Sequence, residues 1–388
     1  MADEDRGRRD DAARRGTAPG NRRPPIMADV ARLAGVSSQT VSRVVNDQGP
    51  TSPATRQRVQ EAIRQLGYRP NKAARALATT RSATIGVIGT QGGLWGPGTV
   101  HRSVESAARA AGYSVSSVSL ETVSRSELTE AVEHLLNQHV EGVIMIAGFD
   151  EAVELARQQD VGVPFVVVVG DAASARRETD TAQFEAARTA VRHLLDLGHV
   201  RIAHVAGPRD WVEARAREAG WRAALEQAGL RPAPPVRGDW SVASGYRAGQ
   251  RIAAAGEATA VFAANDEMAV GVLRALAEAG LRVPSDVSLV GFDDIPLSAY
   301  LVPPLTTVRQ DLRAVGRSAV RALRAAIGGP ADPAGDAVRG PERERGPERS
   351  TAVPPPQLQV RTSTAPPPGA PDRAVGAPGS RPRTAPGP

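Results

Sequence analysis

From Thr84 onward, short apolar runs alternate with longer amphipathic runs, and this alternation limits the possible folds more than any other feature of the chain. Near-continuous apolar strands separated by helices are typical of parallel sheets that helices cover on both faces. The pattern therefore predicts an α/β domain of two doubly wound, parallel-sheet lobes. The predicted strands are TIGVI (84–88), YSVSSVSL (113–120), GVIMIA (142–147), PFVVVV (164–169), RIAHVAG (201–207), TAVFAAN (259–265) and VSLVGF (287–292).

Composition and periodicity divide the whole chain into further segments. We expect the N-terminal lobe at about 83–181 and 311–328, and the C-terminal lobe at about 182–310 and 357–364. The last of these ranges, QLQVRTST, resembles one more strand, and a Gly-, Pro- and Arg-rich loop (329–356) precedes it. In chain order, the predicted segments are a disordered extension (1–25), an all-α module of three short helices (26–70), a short helical connector (71–82), the two-lobed domain (83–364) and a disordered Pro-rich tail (365–388).

Several classes of protein are excluded by composition. The chain has no cysteine, which rules out disulfides and thiolate metal sites. It has no apolar run of membrane-spanning length and starts with mixed charges rather than a signal peptide, so a soluble, cytoplasmic protein is expected. The histidines lack metal-ligand spacing, and the Gly-rich stretch at 89–98 lacks the G-x-G-x-x-G pattern of dinucleotide sites. We expect no metal, no cofactor and no enzymatic activity.

The positive charge is concentrated near the N-terminus. Residues 26–81 carry nine basic and three acidic side chains, which equals the net charge of +6 for the whole chain. A basic module joined to a neutral body indicates a polyanionic partner, most simply nucleic acid. Charge alone leaves open the alternative of a basic face that only meets water.

The stretch GVSSQTVSRVVN (35–46) has apolar side chains on one side and polar ones on the other. Gly35 ends a helix predicted at Met27–Ala34, and Ser37 is placed to cap the next helix. A third helix begins at Ser52-Pro53 and ends at Gly67. Two helices joined by a short glycine turn and braced by a third are typical of a helix-turn-helix. The apolar stripes are Val30, Leu33 and Ala34, then Val41, Val44 and Val45, then Val59, Ala62, Ile63 and Leu66; the polar face of the second helix is Ser38, Gln39, Ser42 and Arg43.

This polar face suits the major groove of DNA. Arg43 can donate two hydrogen bonds to guanine, and Gln39 can bind the edge of adenine or of an adjacent base. The short hydroxyl side chains of Ser37, Thr40 and Ser42 suit phosphate oxygens. The alternative is a small helical bundle whose polar face is merely solvated.

DVARLAGVSSQTVSRVVN (29–46) and TRQRVQEAIRQLGYRPNKAARALAT (55–79) together resemble the headpiece of the lac repressor family of bacterial transcription regulators. Further motifs follow in the order of that family. The resemblance implies a two-lobed effector domain like that of periplasmic binding proteins, a dimer, and a palindromic operator. In two places the headpiece departs from the family: Ile26 stands where a capping Thr or Ser is usual, and Ser38 stands where some members have tyrosine. The motifs of the body are GHVRIAHVAGP (198–208), EARAREAGW (213–221), GDWSVASGY (238–246), FAANDEMAVG (262–271), VSLVGFDD (287–294) and PPLTTVRQD (303–311).

The connector RPNKAARALAT (69–79) is too short to hold a stable helix alone, because helix nucleation is costly. Asn71 is placed to cap it, and Ala74 is small enough for close pairing of two helices. The resemblance implies a hinge helix that pairs across the dimer and inserts Leu77 into the minor groove, a known way to kink DNA. An ordinary linker is the alternative. The candidate DNA-contacting residues are Ser37, Ser38, Gln39, Thr40, Ser42, Arg43, Asn46, Thr55, Asn71, Ala74 and Leu77.

A small ligand is expected between the two lobes, where ligands bind at the strand ends of such sheets. Trp240 offers a flat apolar face for a sugar ring, and Arg215, Asn265 and Asp293 offer polar groups at positions that the family uses for ligand. Each has an alternative: Trp240 as core, Asp293 as part of a turn cap, and Arg215 as a surface arginine. The first-lobe lining is matched by Leu94, Gly96 and Pro97.

Two departures leave the identity of the sugar open. Val169 and Gly170 stand where the galactoside-binding pattern has an aspartate, with Asp171 slightly late, and Trp211 replaces a small residue near the cleft. The function predicted is that of a dimeric repressor whose operator affinity a sugar controls through the hinge helices. A sugar-binding protein without a regulatory role is the alternative. The tail has no leucine heptads, so no tetramer is expected.

Overall fold

The computed structural model describes residues 23–46, 49–69, 81–90, 93–120, 124–148, 154, 161–169, 172–173, 176–328 and 353–369. The chain separates into two compact units, Met1–Ser82 and Ala83–Pro388. The predicted hinge helix, with Asn71, Ala74 and Leu77, lies outside the described residues. So do the N-terminal extension up to residue 22, most of the loop at 329–356, and Gly170 and Asp171.

The first unit contains the three predicted helices. They are α1 (Met27–Ala34), α2 (Ser38–Asn46) and α3 (Pro53–Leu66), and the bounds of α1 are those predicted. Gly35 and Gly67 end α1 and α3 in the left-handed region, with φ of 65° and 61°, where a side chain would be strained. Leu33 differs from the prediction, since it is half exposed and Ala31 takes its place in the core. The buried core of the unit is Val30, Ala31, Ala34, Val41, Val44, Val59, Ala62 and Tyr68.

Side chains supply the helix caps of this unit. Ser37 Oγ accepts a hydrogen bond from the Thr40 amide at 3.1 Å, as its predicted cap position requires. Ser52 Oγ likewise accepts from the Thr55 amide at 3.3 Å. At α1 the missing hydroxyl is replaced by Asp29, whose Oδ2 accepts from the Ile26 amide at 3.1 Å. A cap of this kind stabilises a helix by about 1 kcal/mol.

The second unit begins with a five-stranded sheet. Its strands are β1 (Thr84–Thr90), β2 (Ser114–Leu120), β3 (Val143–Ile146), β4 (Phe165–Val169) and β5 (Ala172–Ala173), in the order β2-β1-β3-β4-β5. All pairings are parallel except that of β5 with β4. The helices that cover this sheet are α4 (Trp95–Ala110) and α5 (Arg125–Asn137), together with α10 (Leu312–Gly328) from much later in the chain.

The second sheet and its helices follow in the chain as α6 (Arg176–Asp196), β6 (Ile202–Ala206), α7 (Val212–Gln227), β7 (Val236–Arg237), α8 (Val242–Ala255), β8 (Ala260–Ala263), α9 (Asp266–Glu278) and β9 (Ser288–Val290). This sheet is parallel and has the strand order β7-β6-β8-β9. Helices α6 and α7 pack together at one of its faces and helices α8 and α9 at the other. Both sheets are thus covered on both faces, as the apolar strands predict.

The chain crosses between the lobes after β10 (Thr307–Arg309). This strand pairs antiparallel with β11 (Gln357–Gln359), beside the second sheet, whereas the helix that follows it, α10, packs on the first sheet. Gln310 and Asp311 therefore form a crossing segment. The predicted strand at 357–364 is shorter than expected, because beyond Gln359 the segment is held through Ser363, whose Oγ accepts from the Thr306 amide at 2.8 Å.

Candidate functional site

The polar face predicted for α2 is present on the first unit. Ser38, Gln39 and Arg43 are exposed, and Ser42 is half-buried with its Oγ accepting from Asn46 Nδ2 at 3.2 Å. These side chains lie at helical spacing on the side away from the buried Val41 and Val44. The face therefore offers amide, hydroxyl and guanidinium groups side by side to a partner.

Three other predicted DNA-contacting residues, Ser37, Thr40 and Thr55, form hydrogen bonds that stabilise the ends of helices. Ser37 and Thr40 share a hydrogen bond between their hydroxyls at 2.9 Å, and Thr55 Oγ1 accepts from Ser52 Oγ at 2.9 Å. These bonds fix the N-terminal ends of α2 and α3, where backbone amides can also face phosphate oxygens. The two acidic residues described in this unit, Asp29 and Glu61, each form an ion pair with an arginine of their own helix.

Between the two lobes of the second unit lies a cleft with a cavity volume of about 70 Å³. Among the lining residues that the structure describes, those of the first lobe are glycine or apolar, and those of the second lobe are mainly aromatic and charged. Of the predicted ligand residues, the structure brings Leu94, Gly96, Pro97, Trp240, Asn265 and Asp293 together in this cleft; the further lining is Val100, Ile146, Ala147, Gly148, Val168, Trp211, Glu213, Arg217, Glu267, Gln310 and Leu312.

Two tryptophans stand edge to face in the cleft: Trp240, the predicted ligand residue, and Trp211, which was expected near the cleft as a bulky replacement of a small residue. The rings of Trp211 and Trp240 are 5.6 Å apart at 68°, and both residues are buried. Each ring occupies the space above a glycine: a Cβ on Gly148 would approach the Trp211 ring to 2.3 Å, and one on Gly207 would approach the Trp240 ring to 2.4 Å. Because Gly148 belongs to the first lobe, its contact with Trp211 joins the two lobes, as does the bond from the Val212 amide to its carbonyl at 2.9 Å.

Arg215 is not part of the cleft. It is partly exposed, donates from Nη1 to the Arg209 carbonyl at 3.0 Å, and lines a separate surface groove. The arginine of the cleft is Arg217, which sequence reasoning missed. Two residues along a helix turn the side chain by more than half a turn, so the two arginines of α7 point to opposite sides. The helical spacing of Arg217 from Glu213 and from the buried Trp221 was the signal that would have identified it.

Four side chains form a closed ring of polar contacts at the wall of the cleft, which we call the cleft ring. Arg217 Nε donates to Gln183 Oε1 at 2.8 Å, and Gln183 Nε2 donates to Gln310 Oε1 at 2.6 Å. Gln310 Nε2 in turn donates to Asp293 Oδ1 at 2.7 Å, and that oxygen lies 3.6 Å from Arg217 Nη2. Arg217 also stacks over the Phe292 ring, 3.8 Å from its centroid. The ring holds the guanidinium and the carboxylate in fixed positions.

Asn265 lines the cleft and also supports its walls. Its Oδ1 accepts from the Met268 amide at 2.9 Å, which caps α9. Its Nδ2 donates to the carbonyl of Trp240 at 3.0 Å. Trp240 has a φ of 73°, a strained conformation for a residue with a side chain, and this hydrogen bond helps to hold it. Asn265 therefore positions the Trp240 ring, besides any contact it makes with a ligand.

The carboxylates of the cleft influence one another. The pKa of Asp293 is raised to about 6, chiefly by burial; Glu267 and Glu213 raise it too, whereas Arg217 and the bond from Gln310 lower it. Burial also raises the pKa of Glu267, although a hydrogen bond from the backbone of Trp95 in the first lobe lowers it. Glu213 and Glu267 were not among the predicted residues, although both lie inside motifs singled out in the sequence.

Behind the cleft, Asp266 is buried among hydroxyl and amide donors. Ser298 Oγ and Thr307 Oγ1 each donate to it at 2.6 Å, and the Ile295 amide donates at 3.0 Å. Its pKa is raised to about 7, first by burial and then by the charge of Asp293. Next to Asp293, Asp294 faces away from the cleft and pairs with Arg309 and Arg361. These contacts fix the loop that presents Asp293.

Within the described part of the chain, no three His, Asp or Glu side chains are arranged to hold a metal ion. None of the helices described is both long enough and apolar enough to span a membrane.

Comparisons with known proteins cover both units. The profile of bacterial regulatory proteins of the lacI family matches residues 26–71, and that of the periplasmic binding protein-like domain matches residues 191–364. The lactose operon repressor of Escherichia coli K12 is 37% identical over 303 residues, which cover 78% of this chain and 84% of that protein. The ribose operon repressor of the same strain is 35% identical over 304 residues, which cover 76% of this chain and 91% of that protein.

A solved structure agrees with these matches. The crystal structure of the lac repressor dimer bound to operator and the anti-inducer ONPF superposes with a TM-score of 0.72 at 35% identity, and the match covers 88% of this chain and 99% of that one. The two operon repressors are regulators rather than enzymes. With a helix-turn-helix unit and a two-lobed ligand-binding unit in one chain, the protein is a DNA-binding transcription regulator and belongs to the lacI family of bacterial regulatory proteins.

Proposed function

We propose that this protein is a repressor that binds a palindromic operator as a dimer and loses operator affinity when a sugar occupies the cleft. The observation that carries the proposal is the presence, in one chain, of an exposed polar face on α2 and of an aromatic and polar cleft between two lobes. The relatives support it, since two of them are named as repressors of sugar operons. We expect the protein to act in the cytoplasm, on the nucleoid when bound.

The DNA-contacting side of the proposal rests on α2. Arg43 and Gln39 are exposed one turn apart, so both can meet base edges in one major groove. Ser37 and Thr55 lie at the N-terminal ends of α2 and α3, where the backbone favours phosphate. A dimer would present two such faces to two half-sites, which is why a palindrome is expected.

A sugar suits the cleft because it offers both kinds of surface. The Trp211 and Trp240 rings can cover the apolar face of a pyranose, and the cleft ring offers charged and amide groups to its hydroxyls. Both lobes line the cavity, so that a bound ligand touches both. Ligand binding is thereby coupled to how the lobes are arranged.

We propose that the hinge segment carries this coupling to DNA. Asn71, Ala74 and Leu77 lie in a stretch too short to remain helical without support. A change in the lobes that removes the support would unfold the segment and lower operator affinity. That is a coupling free energy carried by a local folding equilibrium.

The experiment is a fluorescence-anisotropy titration of the full chain against palindromic and scrambled duplexes over a series of salt concentrations. We expect tighter binding to one class of palindrome, and a loss of that binding when a sugar that stabilises the protein is added. Binding that ignores sequence at every salt concentration would contradict the proposal. Binding of a sugar by a protein that ignores DNA would favour a binding protein without a regulatory role.

A further inference from the structure

We propose that Trp211 limits the size of the effector, so that the cleft binds a single sugar unit and excludes disaccharides. This inference rests on the proposed function of the cleft as a sugar site, and it adds the size class of the sugar and the residue that determines it. It starts from the position of the Trp211 side chain between the two lobes.

Trp211 is placed at a strand end that faces the cleft. It lies in the connection from β6 to α7, directly before the first residue of that helix, with extended backbone at φ −87° and ψ 131°. In doubly wound sheets the ligand crevice lies at the carboxyl ends of the strands. Helix α7 also lines the cleft through Glu213 and Arg217. The indole therefore enters the cleft from the same wall as these charged groups.

The Trp211 ring reaches the opposite wall. Gly148 follows β3 of the first lobe, and a Cβ on it would lie 2.3 Å from the nearest atom of the Trp211 ring. The same ring stands edge to face with the ring of Trp240 in the second lobe, at a centroid distance of 5.6 Å. Trp211 is only 5% exposed. A buried indole that contacts both lobes fills part of the gap between them.

Little space remains beside this ring. The cavity volume of the cleft is about 70 Å³. By comparison, a protein cavity of about 150 Å³ takes up one benzene molecule. A sugar unit carries hydroxyl groups and is larger than benzene, so one unit enters only when the lobes part slightly. A second unit requires as much room again, and the indole, which is of comparable size, takes up that room between the lobes.

Wider opening of the lobes is resisted by contacts at the same place. The amide of Val212, next to Trp211, donates to the Gly148 carbonyl at 2.9 Å. Glu267 in the second lobe accepts a hydrogen bond from the backbone of Trp95 in the first lobe. Separating the lobes far enough for a second sugar unit breaks both bonds and exposes the indole. The free-energy cost of binding therefore rises steeply with the size of the ligand.

The test compares single sugars with disaccharides on the full chain. The panel pairs glucose with cellobiose and maltose, pairs galactose with lactose and melibiose, and adds ribose, xylose and mannose as single units. We expect isothermal titration to show at least one single sugar that binds about tenfold or more tighter than every disaccharide of the panel. A disaccharide that binds within tenfold of the tightest single sugar would overturn the proposal.

Variants of Trp211 test whether the indole sets this limit. Trp211→Ser removes the ring and should reduce the preference for the single sugar by about tenfold, through tighter binding of disaccharides. A residue with a merely structural role would instead weaken the binding of both sizes of sugar when it is replaced. An unchanged preference, or weaker binding of disaccharides in the variant, would show that Trp211 does not set the limit.

Two further variants serve as a graded test and as a control. Trp211→Phe keeps an aromatic ring of smaller size and should have an intermediate effect; it provides the test if Trp211→Ser shows no cooperative unfolding transition. Trp95→Phe changes a tryptophan that lies against Arg102 in a separate groove and should leave the preference unchanged. An equal effect of Trp95→Phe would contradict the assignment to Trp211.

Operator binding separates this inference from the proposed function. If a disaccharide is the tightest ligand and releases the operator, the sugar-controlled repressor stands and the size limit is wrong. If sugars bind only to Trp211→Ser, the ring excludes single units as well, and the size limit is again wrong. If no sugar of the panel binds to the original chain or to Trp211→Ser, the sugar effector of the proposed function fails, and this inference fails with it.

Discussion

Arg217 Nη2 lies 3.6 Å from Asp293 Oδ1, and both side chains are buried at the wall of the cleft. The pair links α7 to the loop after β9, two elements far apart in the chain. The carboxylate nevertheless has a raised pKa, since burial and two further acids outweigh the guanidinium. The contact is thus part of a buried site in which neighbouring acids oppose the guanidinium, and the effects of changing it can be measured.

Replacing Arg217 by methionine should destabilise the effector unit by about 3 kcal/mol or more, because a buried partner charge is left without compensation. Ligand binding should fall as well, since the cleft ring is opened. Arg215→Met on the same helix is the control, with a cost under about 1 kcal/mol. Denaturant unfolding of both variants checks this, and equal costs would show that Arg217 has no special role.

Gly207→Ala should displace the Trp240 ring, because the new methyl group would lie 2.4 Å from it. We expect a loss of about 1–3 kcal/mol in stability, weaker ligand binding and a changed tryptophan emission spectrum. Gly89→Ala meets no atom within 4 Å and should leave all three unchanged. An unaltered spectrum in Gly207→Ala would mean that the ring is not seated as described.

Asp293 should make the stability of the protein depend on pH in a definite direction. Its pKa is raised to about 6 from an ordinary 3.8, so the folded state binds more protons than the unfolded state between those values. Its contribution is full below about pH 4 and is lost as the pH rises through 6. The loss of unfolding free energy caused by Asp293→Asn should therefore be smaller at pH 7 than at pH 4.

The measurement is a difference between two unfolding curves at each pH. Burial lowers the pKa of His204 to about 4, so that its contribution to stability rises with pH in this range. Because both proteins contain His204, this contribution cancels in the difference. The pKa of Asp266 is raised to about 7, first by burial and then by Asp293. Its contribution to stability therefore falls with rising pH, as that of Asp293 does. A penalty that stays constant or grows with pH would show that Asp293 is ionised throughout.

Arg43→Ala should weaken operator binding by about 1–3 kcal/mol and relax the preference at one base position. Anisotropy titrations against single-base operator variants measure both effects. Arg32→Ala, on an exposed residue of α1 that pairs with Asp29, should leave the base preference unchanged. A uniform loss over all operator variants would instead assign Arg43 to a phosphate.

Leu77→Ala should weaken operator binding and leave ligand affinity as it is, because the leucine is proposed to insert into the minor groove. Titration calorimetry with the effector and a DNA-bending assay are the two measurements. Unchanged bending together with retained ligand binding would refute the role proposed for the hinge.

The layered fold was predictable from the chain because its strands are buried on both sides and therefore almost continuously apolar. β5, β7 and β10 were missed, since strands of two or three residues have too few side chains to show a pattern. Such strands form because a neighbouring strand is already present. Local sequence does not contain that information.

In the cleft, residues that end strands or begin helices were predictable from motifs, as Asn265 and Asp293 show. Arg217 was missed because two arginines lie two positions apart in one motif, and only the rotation of α7 decides which faces inward. The sequence indicated that Trp211 is a bulky residue near the cleft. Its packing against Gly148 was not predictable, because the two residues belong to different lobes and are far apart in the sequence.

The hydrogen bonds of the cleft ring all run in one direction. Each of its glutamines donates on one side and accepts on the other, and neither amide can turn over, because Arg217 at one end can only donate and the Asp293 carboxylate at the other end can only accept. Gln310 also belongs to the crossing segment by which the chain passes from one lobe to the other. A ligand that displaces Asp293 would therefore also displace Gln310, so that movement at the wall of the cleft is transmitted to the connection between the lobes.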